Sequence, residues 1–283
     1  MSQSADDLLK AWNEAAQHWE TYREEMAFIF APITGAMIDE AGLQPGMTVL
    51  DVAGGVGEPG LTIASTVAPS GSVLCTDAAP EMVAAAQREA NRRGLTNIAF
   101  KQCPADNLPF PADSFDVVVC RLGAFFFPDP IRAFREMLRV TRSGGKIVLA
   151  VWKGKENNPY FSAVSDVVDR YVTAQANDPD APGPFRFSDP GLMATLLARA
   201  GAERVRERVF EFRLVASMTV GRFWEMRSET SDSLRSRLAT LPAEDRKRLD
   251  SEMTDALKRY FSGTEMNMPG AVWIVSGLKQ GRI

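Results

Sequence analysis

Histidine, cysteine and surplus basic charge are what this chain has least of. One histidine, His18, in 283 residues leaves no multi-histidine metal centre. Three cysteines, Cys75, Cys103 and Cys120, are odd in number and widely spaced, which suits neither a zinc cluster nor a disulfide framework. No metal is therefore expected, and the compartment reads as reducing and cytoplasmic. With 32 Lys and Arg against 36 Asp and Glu, for a net charge of −4, the chain lacks the phosphate-reading face that a tRNA, rRNA or DNA partner requires. Apolar runs stop short of membrane-spanning length. Asp6 and Asp7 stand where a secretory leader would be basic. What remains, 45% hydrophobic residues over this length, buries one α/β domain with insertions and requires no second independent domain.

The most informative stretch is Val49-Leu50-Asp51-Val52-Ala53-Gly54-Gly55-Val56-Gly57-Glu58-Pro59-Gly60, an apolar strand that ends in an acid and runs into glycines and a helix start. Such a turn brings a nucleotide-like ligand against backbone at the helix N-terminus. Gly55, Gly57 and Gly60 satisfy G-x-G-x-x-G, so a dinucleotide must be considered. A pyrophosphate, however, would meet Asp51 and Glu58, two like charges. S-adenosylmethionine offers a cationic amine and a sulfonium instead, which an acid favours. Asp77 closes a second apolar run, Ser72 to Thr76, about 20 residues beyond the turn, where an acid takes both ribose hydroxyls; the alternative is a helix cap. Pro80 then opens a helix, and Met82 is placed to lie against a flat ring.

Taken with three further segments, these residues resemble a class I S-adenosylmethionine-dependent methyltransferase of the ubiquinone/menaquinone-biosynthesis-like group. The segments are Cys103-Pro104-Ala105-Asp106-Asn107-Leu108-Pro109-Phe110, Ser114-Phe115-Asp116-Val117-Val118-Val119-Cys120, and Leu138-Arg139-Val140-Thr141-Arg142-Ser143-Gly144-Gly145. The resemblance covers roughly residues 40–152. It departs at Ser143, where the family usually has Pro, and at Gly54, where it often has Cys or Ser. It implies a doubly wound, mostly parallel seven-stranded sheet and a cofactor set of Tyr22, Asp51, Ala53, Gly54, Gly55, Gly57, Asp77, Ala78, Met82, Ala105, Asp106 and Arg121. Within that set, the Ala105-Asp106 pair would meet the adenine amino group. Arg121, just past the fourth strand, would stand where the acceptor approaches, with a structural ion pair as the other reading.

Read coarsely, residues 1–40 form a helical cap, 41–152 the cofactor-binding core, and 153–283 the completion of the sheet. Strands are predicted near 47–52, 72–76, 98–101, 115–120 and 145–152. Alternation with helices implies right-handed crossovers and a parallel sheet covered on both faces. The runs Val205 to Leu214 and Ala271 to Ser276 would form a closing antiparallel hairpin. Insertions at about 153–187, with its loop-like Asn177 to Pro184, and at 216–268 are expected to form a lid over the acceptor; the alternative is a homodimer interface. Leu8, Trp12, Ala15, Ala16, Trp19 and Tyr22 recur at helical spacing and form one apolar face.

The resulting expectation is in-line transfer of a methyl group to O, N, S or C of a small, apolar or aromatic acceptor. His18 is the candidate catalytic base, with Tyr160 and Asp189 behind it. Two other readings stay open at this point: a nicotinamide-dependent oxidoreductase, and a non-catalytic cofactor-binding protein.

Overall fold

The computed structural model describes residues 5–173, 178 and 180–281; Asn177 and Pro179 of the loop-like run lie outside the described residues. Five strands enter in the expected alternation: β1 (Thr48–Val52), β2 (Ser72–Asp77), β3 (Ile98–Gln102), β4 (Phe115–Arg121) and β5 (Thr141–Trp152). All pair in parallel, in the order β3-β2-β1-β4-β5. Their runs are apolar because both faces are covered: Val49, Leu50, Val118, Val119, Ile147, Val148 and Leu149 are fully buried.

The sheet ends in the antiparallel hairpin that the sequence predicts. β8 (Glu265–Leu278) runs between β5 and β6 (Glu203–Ser217), antiparallel to both, and the short β7 (Phe261–Ser262) pairs with β8. β5 begins at Thr141 rather than at 145 because Thr141 already pairs with Phe115, after which the register shifts to Val117 opposite Lys146. Gly145 lies in that irregularity, where an added Cβ would come 2.7 Å from the Asp116 carbonyl oxygen.

Helices α3 (Gly60–Val67), α4 (Pro80–Arg92) and α5 (Pro130–Val140) follow β1, β2 and β4. Before the sheet stand α1 (Ala5–Thr21) and α2 (Arg23–Ala41), and the latter buries Met26, Ile29, Phe30, Ile33 and Met37. The first insertion contains α6 (Pro159–Val168) and leads to α7 (Leu192–Ala200), while the second folds as α8 (Val220–Thr230), α9 (Asp232–Leu238) and α10 (Ala243–Leu257). α6, α8 and α10 pack on one another, and α8 packs on α1.

Candidate active site

β1 and β4 are neighbours whose connections leave in opposite directions, and ligands of such sheets bind beyond the carboxyl ends at that split. Both strands end in strained backbone. Ala53 (φ 57) and Leu122 (φ 58) adopt the left-handed conformation without being glycine, the kind of cost that functional sites carry. Next to Leu122, Gly123 packs so closely that a Cβ there would come 2.7 Å from that of Ala53. The two strand ends thereby open a cavity of about 380 Å³, within the range of small-molecule sites.

The glycine turn forms the floor. Gly55 has φ +56, and a Cβ built on it meets no protein atom within 4 Å, so the turn presents bare backbone to the cavity. Asp77 ties this turn to the start of α4: its Oδ2 accepts from Gly55 N at 3.0 Å and its Oδ1 from Ala79 N at 2.9 Å. Its carboxylate also faces the cavity, and burial raises its pKa. The helix-entry reading of Asp77 is thus met by Ala79 N, and its place in the cavity wall is compatible with the ligand reading.

Of the predicted cofactor residues, Ala53, Gly54, Gly55, Asp77, Ala78, Met82, Ala105, Asp106 and Arg121 line this one cavity. Four predicted residues stand behind its wall. Asp51 is fully buried beneath the turn, its Oδ2 accepting from Gly60 N at 2.9 Å and its Oδ1 sealed without a partner. Burial pushes its pKa up to about 7, against the pull of Arg121. Gly57 serves the turn, since a Cβ there would come 2.5 Å from Leu61 Cδ1. Tyr22 donates its hydroxyl to Glu229 Oε2 at 3.0 Å, and burial together with that carboxylate pushes its pKa up to about 12. His18 Nδ1 stands 3.4 Å from the same Glu229 oxygen. His18 and Tyr22 are one helical turn apart and therefore share the face that α1 turns toward α8, away from the cavity. The other candidate bases are no nearer: Tyr160 is buried among aromatic rings and Asp189 is exposed.

The rest of the wall was anticipated only in part, through the apolar stripe of the N-terminal helix. Leu8, Leu9, Trp12 and Trp19 of α1 and Arg23, Met26, Ala27 and Phe30 of α2 form one side, and Cys103, Leu122, Gly123, Phe126 and Phe127 the other. Trp12 packs edge-on against Phe126, with ring centroids 4.9 Å apart, so α1 and the turn after β4 meet over the site. The α1 stripe carried part of this signal; Arg23 carried none. Ala15 and Ala16 of that stripe pack on Val56, Ala79, Met82 and Ala85.

Among the described residues this wall reaches no further than Ala133, and the first insertion meets it from behind, where Arg186 Nη1 donates to the Phe127 carbonyl at 2.7 Å. Of the second insertion, α8 braces α1: Trp19 Nε1 donates to the Thr230 carbonyl at 3.1 Å, beside the Tyr22 contact to Glu229. A helix that must close the site from one face needs a partner on its other face, and α8 supplies it.

Charge in the cavity is mostly negative, with Asp6, Glu58, Asp77, Asp106 and Asp129 against Arg23 and Arg121. Glu58 is itself fixed by Arg93 at 2.9 Å and by Thr62 Oγ1 at 2.7 Å. Arg121 donates to Thr34 Oγ1 at 2.8 Å and to the Glu58 carbonyl at 3.1 Å, and burial lowers its pKa. Arg23 donates to Ala85 O at 2.9 Å and Glu89 Oε2 at 3.3 Å, which leaves its buried Nε unpartnered. A bare glycine turn, an acid at the second strand end and an acidic surround fit a cationic adenosyl ligand and repel a pyrophosphate.

A model of the methyltransferase domain matches residues 50–149. An uncharacterized methyltransferase, YcgJ, from Bacillus subtilis is 38% identical over 153 residues, which are 54% of this chain and 56% of that protein, so the chain spans little more than half of this curated relative. The ubiquinone/menaquinone biosynthesis C-methyltransferase UbiE of Ectopseudomonas mendocina is 35% identical over 182 residues, 59% of this chain and 70% of its own length. The chain belongs to the class I S-adenosylmethionine-dependent methyltransferases. The crystal structure of YcgJ superposes on this methyltransferase with a TM-score of 0.55 at 22% identity, covering 88% of this chain and 98% of the other, a likeness in fold. Membership sets aside the nicotinamide-dependent reading. Among the described residues no cluster of side chains could hold a metal ion, and no helix is long and apolar enough to cross a membrane.

Proposed function

We propose that this methyltransferase transfers the methyl group of S-adenosylmethionine to a small apolar or aromatic molecule. The observation that carries the reading is that one cavity is lined both by the glycine turn with Asp77 and by Trp12, Trp19, Met26, Phe30, Phe126 and Phe127. Asp77 would hold the ribose hydroxyls, Met82 and the Ala105-Asp106 pair would flank the adenine, and the open side of Gly55 would admit the ribose C5′ methylene and the sulfur bonded to it. Arg23, with a buried unpartnered Nε in this wall, is placed to meet a carboxylate. Asp51, beneath the turn, would hold its shape and add negative charge toward a bound amine.

The donor supplies an already activated methyl on a sulfonium, so alignment and exclusion of water are the tasks left to the chain. Trp12 and Trp19 of α1 and Phe126 opposite them exclude water. Among the described residues the wall contains no histidine, lysine or tyrosine, and burial pushes the Cys103 thiol up to about 11. The side chains thus favour an acceptor that arrives deprotonated or attacks as a neutral nucleophile. The three buried free thiols fit a reducing, cytoplasmic setting. A transfer screen with labelled S-adenosylmethionine across quinols, phenols, amines and thiols tests the reading. Product is expected among aromatic or apolar acceptors, and transfer confined to polar or polymeric acceptors would overturn it.

A further inference from the structure

Arg227, on α8, is buried with no carboxylate within ion-pair distance among the described residues. It is 7% exposed, its Nε has no partner, and its one hydrogen bond among the described residues is long, from Nη1 to Tyr160 Oη at 3.4 Å. The guanidinium lies over two rings, 4.1 Å from the centroid of Tyr160 and 5.1 Å from that of Phe161. Burial raises the Tyr160 pKa above its ordinary value, so that partner is neutral. Arg23, the other deeply buried arginine, faces the carboxylate of Glu89. Ring faces offset only part of what a guanidinium loses on leaving water, and a buried charge is ordinarily paired.

The position of Arg227 gives it a use. Tyr160 Oη stands 3.6 Å from Met26 Sδ, and the Tyr160 ring packs edge-on against Phe30 with centroids 5.7 Å apart. Met26 and Phe30 both wall the cavity. Met26 in the wall, an adaptable thioether, and the Tyr160 hydroxyl behind it therefore stand between the cavity and the cation.

We propose that Arg227, with Tyr160, is the anion-recognition element of the acceptor site: the apolar body of the acceptor lies against Phe30 and Met26, and as Met26 yields a carboxylate on it meets the Tyr160 hydroxyl and the guanidinium that stands 3.4 Å behind that oxygen. This rests on the apolar-acceptor reading above and adds the charge of the acceptor to it. The planar fork of donors suits a carboxylate, the Tyr160 hydroxyl offers a further donor, and the dry surroundings strengthen the pair.

The test uses the full chain saturated with S-adenosylhomocysteine and two probes of the same shape, 1-naphthoate and neutral 1-naphthamide, titrated into wild type, Arg227→Met and Arg227→Lys. Wild type is expected to bind naphthoate at least about tenfold more tightly than the amide, as charge-assisted pairing implies. Arg227→Met should lose that preference while keeping its affinity for naphthamide, Arg227→Lys should keep part of it, and the melting temperature of Arg227→Met should not fall. Equal binding of the two probes in wild type, or a preference that survives Arg227→Met, overturns the assignment and leaves the apolar-acceptor reading standing. Failure of both probes to bind while S-adenosylhomocysteine binds overturns both. If Arg227→Met does not fold, the wild-type comparison and Arg227→Lys decide.

Discussion

Gly54 and Gly55 are adjacent, and their constraints are opposite. A Cβ on Gly54 would come 2.4 Å from Cys75 Sγ and 2.6 Å from Asp51 Oδ2, whereas one on Gly55 would enter open cavity. Gly54→Ala is therefore expected to destabilise the fold by about 1–3 kcal/mol through overpacking, read as a lower melting temperature. A spacing motif marks both positions as glycine and cannot say which serves packing and which serves the ligand. For Asp77→Ala, calorimetry should show S-adenosylhomocysteine binding weakened by about 1.5–3 kcal/mol, the range for hydrogen bonds to a charged group; unchanged affinity in a folded variant would remove Asp77 from the site. Asp51 makes a separate prediction. It keeps its proton to about pH 7 in the fold and releases it near pH 4 when unfolded, so between those values the folded state binds more protons and stability falls as pH rises. Asp77, whose pKa is also raised, acts in the same direction. Glu89, held down to about 2 mainly by Arg92, has the opposite sign: its contribution is present above its unfolded pKa and is lost as pH falls toward 2, below the window in question. Urea midpoints measured from about pH 5 to 7 should decline in wild type and decline less in Asp51→Asn, whose carbonyl can still accept from Gly60 N. Equal slopes in the two proteins would contradict the assignment.

At the scale of elements, the alternation that builds β1 to β5 and the hairpin of β6 and β8 were legible, because strand runs and glycine turns are local signals. The partner of an amphipathic helix is not a local signal. The spacing of Leu8, Trp12, Trp19 and Tyr22 predicts a buried face for α1, yet the structure buries two faces, one toward the cavity and one toward α8. The second insertion, expected to cover the acceptor, packs on α1 through α8. Replacing the helices between Ser217 and Glu265 with a tight turn removes Glu229 and Thr230, which accept from Tyr22 and Trp19. Cofactor affinity should then fall together with methyl transfer, because α1 loses its outer brace. Calorimetry on the shortened protein checks this; full affinity would mean that α4 alone holds α1 in place.

Across the whole molecule, the residues proposed for the donor were readable, and the aromatic wall beside them was readable only in its α1 stripe. The residues proposed for the donor fall in three short runs, 53–55, 77–82 and 105–106, each close to a strand end, the first two legible from spacing and the third from the family resemblance. The acceptor wall draws Trp12, Phe30 and Phe126 from three distant elements, which only the tertiary fold brings together. The same wall predicts how the rate depends on pH. With no histidine, lysine or tyrosine in it among the described residues, kcat/KM for a phenolic acceptor should rise along the ionisation of that acceptor, shifting when a more acidic phenol is used, and His18→Ala should leave the profile in place; a limb that disappears in His18→Ala would restore a histidine base. The central claim is that the bare backbone of the glycine turn, at the split between β1 and β4, is where the methyl donor binds. Titration of S-adenosylhomocysteine into wild type and Gly55→Val tests it most directly, because the added side chain meets donor space and no protein atom. The account predicts one-to-one binding in wild type and its loss in a variant that still unfolds cooperatively, with left-handed strain costing about 1–2 kcal/mol; undiminished binding by Gly55→Val would contradict it.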